Sequence, residues 1–494
     1  MNKTDSLHDT TYGVYTLDSM KALTIAVLGG FSAALLAFFV HSLVINPQPD
    51  AELLVYAHQF YKTFGTKWFE EFYFIERKYP FFFLFLGSLL LHFTLWIFDA
   101  SSAMWQEGMS QFEVGTVWVM TIHASGRLLI VTCAIGTLLL LQRMSRKLFS
   151  SNAAVLLLLS SPLFFVFSTA IRPHVPVAFW TVLSIFCAIK LYERKTFARG
   201  VCAFGAALAA FCTLQNGLFA FIFPVWGLLL PRFTWKQVAI CIGALLCCLG
   251  LAVVLGYPFL LQSSGTASLD LGHNVPTQWN GAGFLQLPRT FLGGEIFLLL
   301  FAGASIFLAL RKRITLPPIA LPIVIFIVLY IAIFGMHGST LMRYWIILLP
   351  LFALLGAPAF ARAPKMIRGG FLVIVLLMYI KFAVLAIQKD TYELAMDAVD
   401  HIAAPISVQL PIYAHDVLPE RNVPPTDANY MVAITRGATQ SSDWHECKRI
   451  TASKITDNLL FLWNEVPWSY YHLIFTKRLG ENVSVYCKEG IELF

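Results

Sequence analysis

Apolar residues in this chain come in long blocks divided by short polar turns. The blocks run from Ala22 to Ile45, Leu128 to Gln142, Asn152 to Ser168, Val175 to Tyr192, Val201 to Thr213, Leu218 to Leu230, Val238 to Leu261, Thr290 to Leu310, Ile319 to Phe334, Tyr344 to Phe360 and Phe371 to Ile387. A helix needs about 20 apolar residues to cross the ~30 Å hydrocarbon layer of a bilayer, so the pattern predicts about eleven transmembrane helices. The first block is too long, and too poorly followed by small residues, for a cleaved signal peptide. It is expected to remain as a helix.

The turns between the blocks set the orientation. Lys and Arg collect in the cytoplasmic loops of short-loop membrane proteins. The clusters Arg143/Arg146/Lys147, Arg194/Lys195/Arg199, Arg232/Lys236, Arg311/Lys312/Arg313 and Arg362/Lys365/Arg368 are therefore placed inside. Alternate loops then face outward, and these carry Arg172 and His174, Asp270 and His273, and His337 and Arg343. Only the run Tyr79 to Phe98 breaks the parity. Its Phe-rich start and Pro80 suit a helix lying in the outer interface, so it is expected not to cross but to belong to a long external loop from Asn46 to about His123. The N-terminus is then cytoplasmic.

From Asp390 onward the composition is that of a soluble protein, with alternating runs at Ile406 to Ala414, Tyr430 to Ile434 and Val483 to Cys487 that predict strands mixed with one or two helices. The expected architecture is an all-α polytopic membrane domain over residues 1–389, followed by a small external α/β domain over residues 390–494. Parity puts that domain outside, in the periplasm if the membrane is a bacterial inner membrane. No internal repeat and no inverted pair of interrupted helices stands out in the sequence.

Composition supports the membrane class and narrows the partners. Of 494 residues, 58% are hydrophobic and only 13% charged, outside the range of soluble domains. The net charge of +7 is dispersed over short loops with no continuous basic stripe, which excludes nucleic acid as a partner. Cys447 and Cys487 alone among the cysteines lie outside apolar runs, and in an oxidising compartment they are expected to form a disulfide.

Candidate chemistry gathers on the outward side. Asp50 and Glu52 stand where the first helix leaves the membrane, in Asn46-Pro47-Gln48-Pro49-Asp50-Ala51-Glu52. They suit a general base or a cation ligand, and Asp50 equally suits a helix cap. Glu76, Arg77 and Lys78 precede the Phe run, and their cations can meet a lipid phosphate or snorkel to headgroups. Arg172-Pro173-His174 fills a turn so short that its side chains lie at the membrane surface, and Arg343-Tyr344 opens another span. An ionisable residue at that depth is a functional suspect, with snorkelling as the alternative. No pair has zinc-motif spacing, so a divalent metal would need ligands assembled across loops from Glu52, Glu76, His174 and His273.

In order and sidedness these elements resemble the C superfamily of membrane-embedded glycosyltransferases, especially protein O-mannosyltransferases and the bacterial transferases that move aminoarabinose onto lipid A. The resemblance rests on Asp50 and Glu52, Lys78-Tyr79-Pro80, the span led by Arg127 and closed by Arg143-Met144-Ser145-Arg146-Lys147, Ser161-Pro162, the Arg172-Pro173 turn, Gln215-Asn216-Gly217, and Arg343-Tyr344 with Pro350. It covers most of residues 22–387. It implies a polyprenyl-phosphate-linked sugar as donor, usually inverting transfer to a lipid, glycan or protein acceptor, and juxtamembrane helices in the first external loop. It also implies Asp50 as the base and Lys78, Arg172, Arg343 and Tyr344 near the donor phosphate. His174 stands where many relatives have Asp, and Tyr79 replaces one Pro of a Lys-Pro-Pro element, which leaves metal dependence open. A transporter or lipid flippase, and a non-catalytic protein of the same fold, are the competing classes.

Overall fold

The computed structural model describes residues 8–41, 86–87, 89–90, 116–230, 234–255, 281–337, 342–400, 402, 404–409, 424–434, 444–453, 470–480 and 482–488. Asp50, Glu52, Glu76, Lys78 and His273, and all but four residues of the run Tyr79 to Phe98, lie outside them.

The protein is mostly helical, with a small four-stranded sheet near its C-terminus. Among the described residues the helices are α1 (His8–His41), α2 (Thr116–Phe149), α3 (Ala153–Leu159), α4 (Pro162–Phe167), α5 (His174–Glu193), α6 (Phe197–Thr213), α7 (Ile222–Leu229), α8 (Trp235–Leu255), α9 (Gly283–Gly293), α10 (Ile296–Leu310), α11 (Ala320–Met336), α12 (Leu349–Arg362), α13 (Lys365–Ile387), α14 (Thr391–Asp400) and α15 (Tyr470–Phe475). Tight 3-10 turns at Gln215–Phe221 and Met342–Leu348 lead into α7 and α12.

Among the described residues, six segments are long and apolar enough to cross a membrane: Met20–Phe39, Ala124–Phe149, His174–Glu193, Trp235–Val253, Met342–Arg362 and Lys365–Val399. A seventh is counted if α9 and α10, bent by 97° at their junction, form one span. The remaining apolar blocks become shorter or broken helices. Phe197–Thr213, Gln215–Leu229 and Ala320–Met336 are shorter apolar helices. The block from Asn152 to Ser168 breaks at Ser160-Ser161-Pro162, because Pro162 lacks the N–H that would continue the ladder.

A broken helix inside a bilayer must satisfy its freed backbone groups from within the protein. Here side chains do so. The Tyr379 hydroxyl donates to the Leu159 carbonyl, the Ser161 hydroxyl accepts from the Phe164 N–H at 2.9 Å, and Glu295 Oε1 accepts from the Leu163 N–H at 3.1 Å. Glu295 is 1% exposed and sits at the bend between α9 and α10. The two interrupted segments thus meet at one buried carboxylate, a pairing that the sequence pattern does not display.

Around this point the core is aromatic. Phe165 stacks on Phe382 at 4.4 Å and meets Phe38 edge-on at 5.3 Å, tying α4 to α13 and α1. The end of α1 is fixed separately. Arg127, 1% exposed on α2, donates through Nη1 to the carbonyls of Phe38 at 3.3 Å and Phe39 at 3.1 Å. Those carbonyls belong to the last turn of α1, which has no intrahelical donors left, and a cation there also opposes the negative end of the helix dipole. Arg127 thereby holds the last turn of α1 against α2.

Helix α14 opens with a reciprocal cap: Asp390 accepts from the Glu393 N–H at 2.7 Å, and Glu393 accepts from the Asp390 N–H at 2.9 Å. Strands β1 (Ile406–Gln409), β2 (Tyr430–Ile434), β3 (Trp444–Ile450) and β4 (Val483–Lys488) form a sheet ordered β1-β2-β4-β3. The β1–β2 pair is parallel, while β2–β4 and β3–β4 are antiparallel. Met396 and Val399 of α14 pack with Val432 and Val485 beneath the sheet. Cys447, at an irregularity in β3, is disulfide-bonded to Cys487 of β4 with a Cα separation of 5.8 Å.

Candidate functional site

Two of the sequence candidates come together at one end of α5, and two more arrive from a distant segment. The turn Ile171-Arg172-Pro173 is short because Pro173, with its fixed φ of −71°, already adopts helical geometry and starts α5 at His174. Arg172 is only 8% exposed and His174 only 3%. Tyr344, in the 3-10 turn Met342–Leu348, brings its ring to 5.7 Å from His174. Phe167 also stacks on the imidazole, at 6.1 Å. Two aromatics thus neighbour the ring.

Its polar atoms have a different environment. Neither ring nitrogen of His174 has a hydrogen-bond partner among the described residues. Both Arg172 and Arg343 lie close enough for their charges to act on it. Arg343 places its guanidinium 5.9 Å from the Tyr344 ring centre. Two guanidiniums and one imidazole therefore converge at the N-terminal end of a 20-residue helix, whose first N–H groups add partial positive charge. An arrangement of this sign attracts an anion and repels a divalent cation.

A second layer fixes the turn that carries Arg343 and Tyr344. The Tyr330 hydroxyl donates to the Tyr344 carbonyl at 2.6 Å and accepts from Asn216 Nδ2 at 2.7 Å. Tyr330 is fully buried on α11, stacked on Phe334 at 4.4 Å, and Phe334 stacks on Tyr344 at 5.5 Å. Asn216 can reach in because Gly217 lies hard against α6. A Cβ at Gly217 would sit 2.2 Å from the Ala210 carbonyl oxygen, so only glycine permits that approach.

Of the sequence candidates, the structure brings Arg172, His174, Arg343 and Tyr344 into one cluster. Cys447 and Cys487 lie on β3 and β4 of the C-terminal sheet. Together with His445 they are the only group of three candidate metal ligands among the described residues, and the disulfide engages both sulfurs. Tyr330, Phe334 and Glu295 were not singled out by sequence reasoning. Glu295 left a signal, as the only acidic residue within the apolar run Thr290 to Leu310; Tyr330 left none.

Comparison with known proteins adds one finding of likeness. No protein-family model matches the chain, and no curated protein matches it. Two solved structures are similar to it, both of ArnT from Cupriavidus metallidurans. The structure in the apo state is 14% identical, covers 83% of this chain and 93% of its own, and superposes with a TM-score of 0.46. The structure bound to undecaprenyl phosphate is 13% identical, covers 93% of this chain and 97% of its own, and gives a TM-score of 0.47. ArnT is a lipid A aminoarabinose transferase of the C superfamily. At these identities and scores the functional reading rests on this chain's own side chains.

Proposed function

We propose that the chain is a multi-pass membrane glycosyltransferase that takes a sugar from a polyprenyl-phosphate donor and passes it to an acceptor on the external face. The observation that carries the reading is the cluster of buried Arg172 and His174 with half-buried Arg343, where two cations act on an imidazole whose nitrogens have no partner among the described residues. A guanidinium withdrawn from water is met by carbonyl oxygens, as Arg127 is, or by an anion. A lipid-borne phosphodiester supplies one at the right depth while its tail stays in the hydrocarbon.

In this reading the acceptor oxygen attacks the anomeric carbon, and the carbon–oxygen bond to phosphate breaks with its electron pair left on the phosphate. The acceptor proton passes to Asp50. Inversion at the anomeric carbon follows from that single displacement. Arg172 and Arg343, with Lys78 from the first external loop, stabilise the charge that develops on the leaving phosphate, and His174 donates one N–H to it. Electrostatic stabilisation of this kind is usually the largest catalytic contribution. Tyr344 walls the site. Arg172 and Arg343 disfavour a divalent cation at His174, so a metal, if one takes part, belongs with Glu52, Glu76 and His273. The proposed setting is the inner membrane, with the N-terminus cytoplasmic and the small domain periplasmic.

The test is sugar transfer from a radiolabelled polyprenyl-phosphate donor by the purified chain, with undecaprenyl phosphate, the lipid named in the ArnT complex, as carrier. Turnover that falls with Arg343→Ala supports the reading. A second reading, a transporter, is favoured by the two interrupted helices that meet at Glu295. Solute flux without sugar transfer, abolished by Glu295→Gln, would establish it instead.

A further inference from the structure

At the opposite end of α5 lies a groove of about 670 Å³, within the range of about 300–1,000 Å³ typical of small-molecule sites. Tyr192 and Trp226 form one wall, stacked at 4.7 Å with their planes 5° apart. Leu310, Pro317, Leu321 and Val324 form the other, and no charged side chain lines it among the described residues. Leu310 and Leu321 are 78% and 58% exposed, so the groove opens on the outside of the helix bundle, where the bilayer lies. From His174 to Tyr192 the helix rises by about 27 Å at 1.5 Å per residue. This groove is therefore separate from the site above.

A basic turn adjoins it in the sequence. Leu310 and Pro317 are joined by the turn Arg311-Lys312-Arg313-Ile314-Thr315-Leu316. That turn closes α10 with the Arg313 N–H on the Leu308 carbonyl and the Lys312 N–H on the Ala309 carbonyl. Lys312 adopts a φ of +55°, the left-handed position that glycine normally fills at such a helix end. A cation at the C-terminus of α10 has a dipole rationale, which accounts for Arg311. It does not account for a lysine in the left-handed position. Lys195 is anchored on the Leu228 carbonyl at 2.6 Å, two residues before the groove residue Leu230. Glu193, the carboxylate next to Tyr192, is engaged by Lys147.

We propose that this groove is a binding site for an anionic diacyl phospholipid of the surrounding leaflet, with one acyl chain along Tyr192, Trp226 and Leu321 and the phosphate at Arg311, Lys312 and Arg313. Apolar walls hold the chain, and the cations select the headgroup. The site is independent of the donor cluster.

Native mass spectrometry of the full chain, delipidated and offered dioleoyl phosphatidylglycerol or dioleoyl phosphatidylcholine at equal concentration, tests it. Phosphatidylglycerol is expected to be retained more strongly, and the combined Arg311→Gln, Lys312→Gln, Arg313→Gln variant to lose at least about tenfold of that retention while phosphatidylcholine is unchanged. Should the triple variant insert poorly, Lys312→Gln alone is expected to lose about fivefold. Ala309→Phe, which fills the groove, is expected to lower retention of both lipids. Arg343→Ala is expected to leave phosphatidylglycerol retention unchanged. Equal retention of the two lipids by the unaltered chain overturns the proposal, as does a preference that survives the cation variants. Displacement of phosphatidylglycerol by an equal amount of undecaprenyl phosphate also overturns it, by naming a different occupant.

Discussion

Helix α5 begins and ends with ionisable residues, and its two ends treat them in opposite ways. At its first residue, His174 is 3% exposed with both ring nitrogens unpartnered among the described residues, beside Arg172 at 8%. At its last, Glu193 pairs with Lys147 of α2, and their side chains are 44% and 47% exposed. One end keeps its charges in water, where they serve orientation and weak pairing. The other has withdrawn them from water. Withdrawing a charge costs several kcal/mol unless an opposite charge or hydrogen-bond acceptors meet it, which is why the proposed function places the donor phosphate at the buried end.

That contrast can be broken most severely through Asp50, which follows α1 in the sequence and is the base of the proposed function. Asp50→Asn preserves shape and capping capacity but removes the base, and transfer activity is expected to fall by roughly two orders of magnitude or more. If Asp50 is only a helix cap, the Asn variant will turn over like the parent, since Asn caps as well as Asp. A labelled-donor assay on variants of equal expression separates the two.

A smaller effect is expected from Arg343→Lys. The charge stays and the planar fork goes, so a bidentate contact to phosphate predicts about tenfold lower kcat/KM for the lipid donor. An unchanged value would mean that Arg343 acts as a point charge only.

Smaller again is Tyr330→Phe. It removes the hydroxyl that joins Asn216 to the Tyr344 carbonyl, which should cost about 1–3 kcal/mol in thermal or denaturant unfolding because buried partners are left unsatisfied. Donor KM should rise several-fold with kcat less affected, because the turn bearing Arg343 loosens. A stability loss with unchanged KM would reduce Tyr330 to a packing residue.

At the exposed end Lys147→Gln sets the baseline. Its ion pair with Glu193 is half in water, so stability should change by less than about 1 kcal/mol and transfer activity not at all.

The contrast between the ends was partly legible in the sequence. Arg172, His174 and Arg343 stood out because ionisable residues are rare between apolar blocks, and the basic clusters assigned the other end. The blocks also marked apolar helices, of which six, or seven with the bent pair, are long enough to cross a membrane among the described residues where about eleven were expected, and the alternating runs from Ile406 onward marked three of the four described strands. What holds the site was not legible. Asn216 and Tyr330 are 114 residues apart and meet only through the close approach that Gly217 allows. Glu295 and Leu163 are 132 residues apart, and hydropathy averages a single Glu into an apolar run. Breaks such as Ser160-Ser161-Pro162 are likewise smoothed over, since apolar composition continues on both sides of the proline.

The most direct measurement is the affinity of the purified chain for undecaprenyl phosphate, compared among the parent, Arg343→Ala at the buried end and Lys147→Gln at the exposed end. The account predicts at least about tenfold weaker binding for Arg343→Ala, as expected when a charged hydrogen-bond donor is removed from a desolvated site, and parent-like binding for Lys147→Gln. Equal affinities in all three proteins would contradict it, because Arg343 would then not be what meets the phosphate.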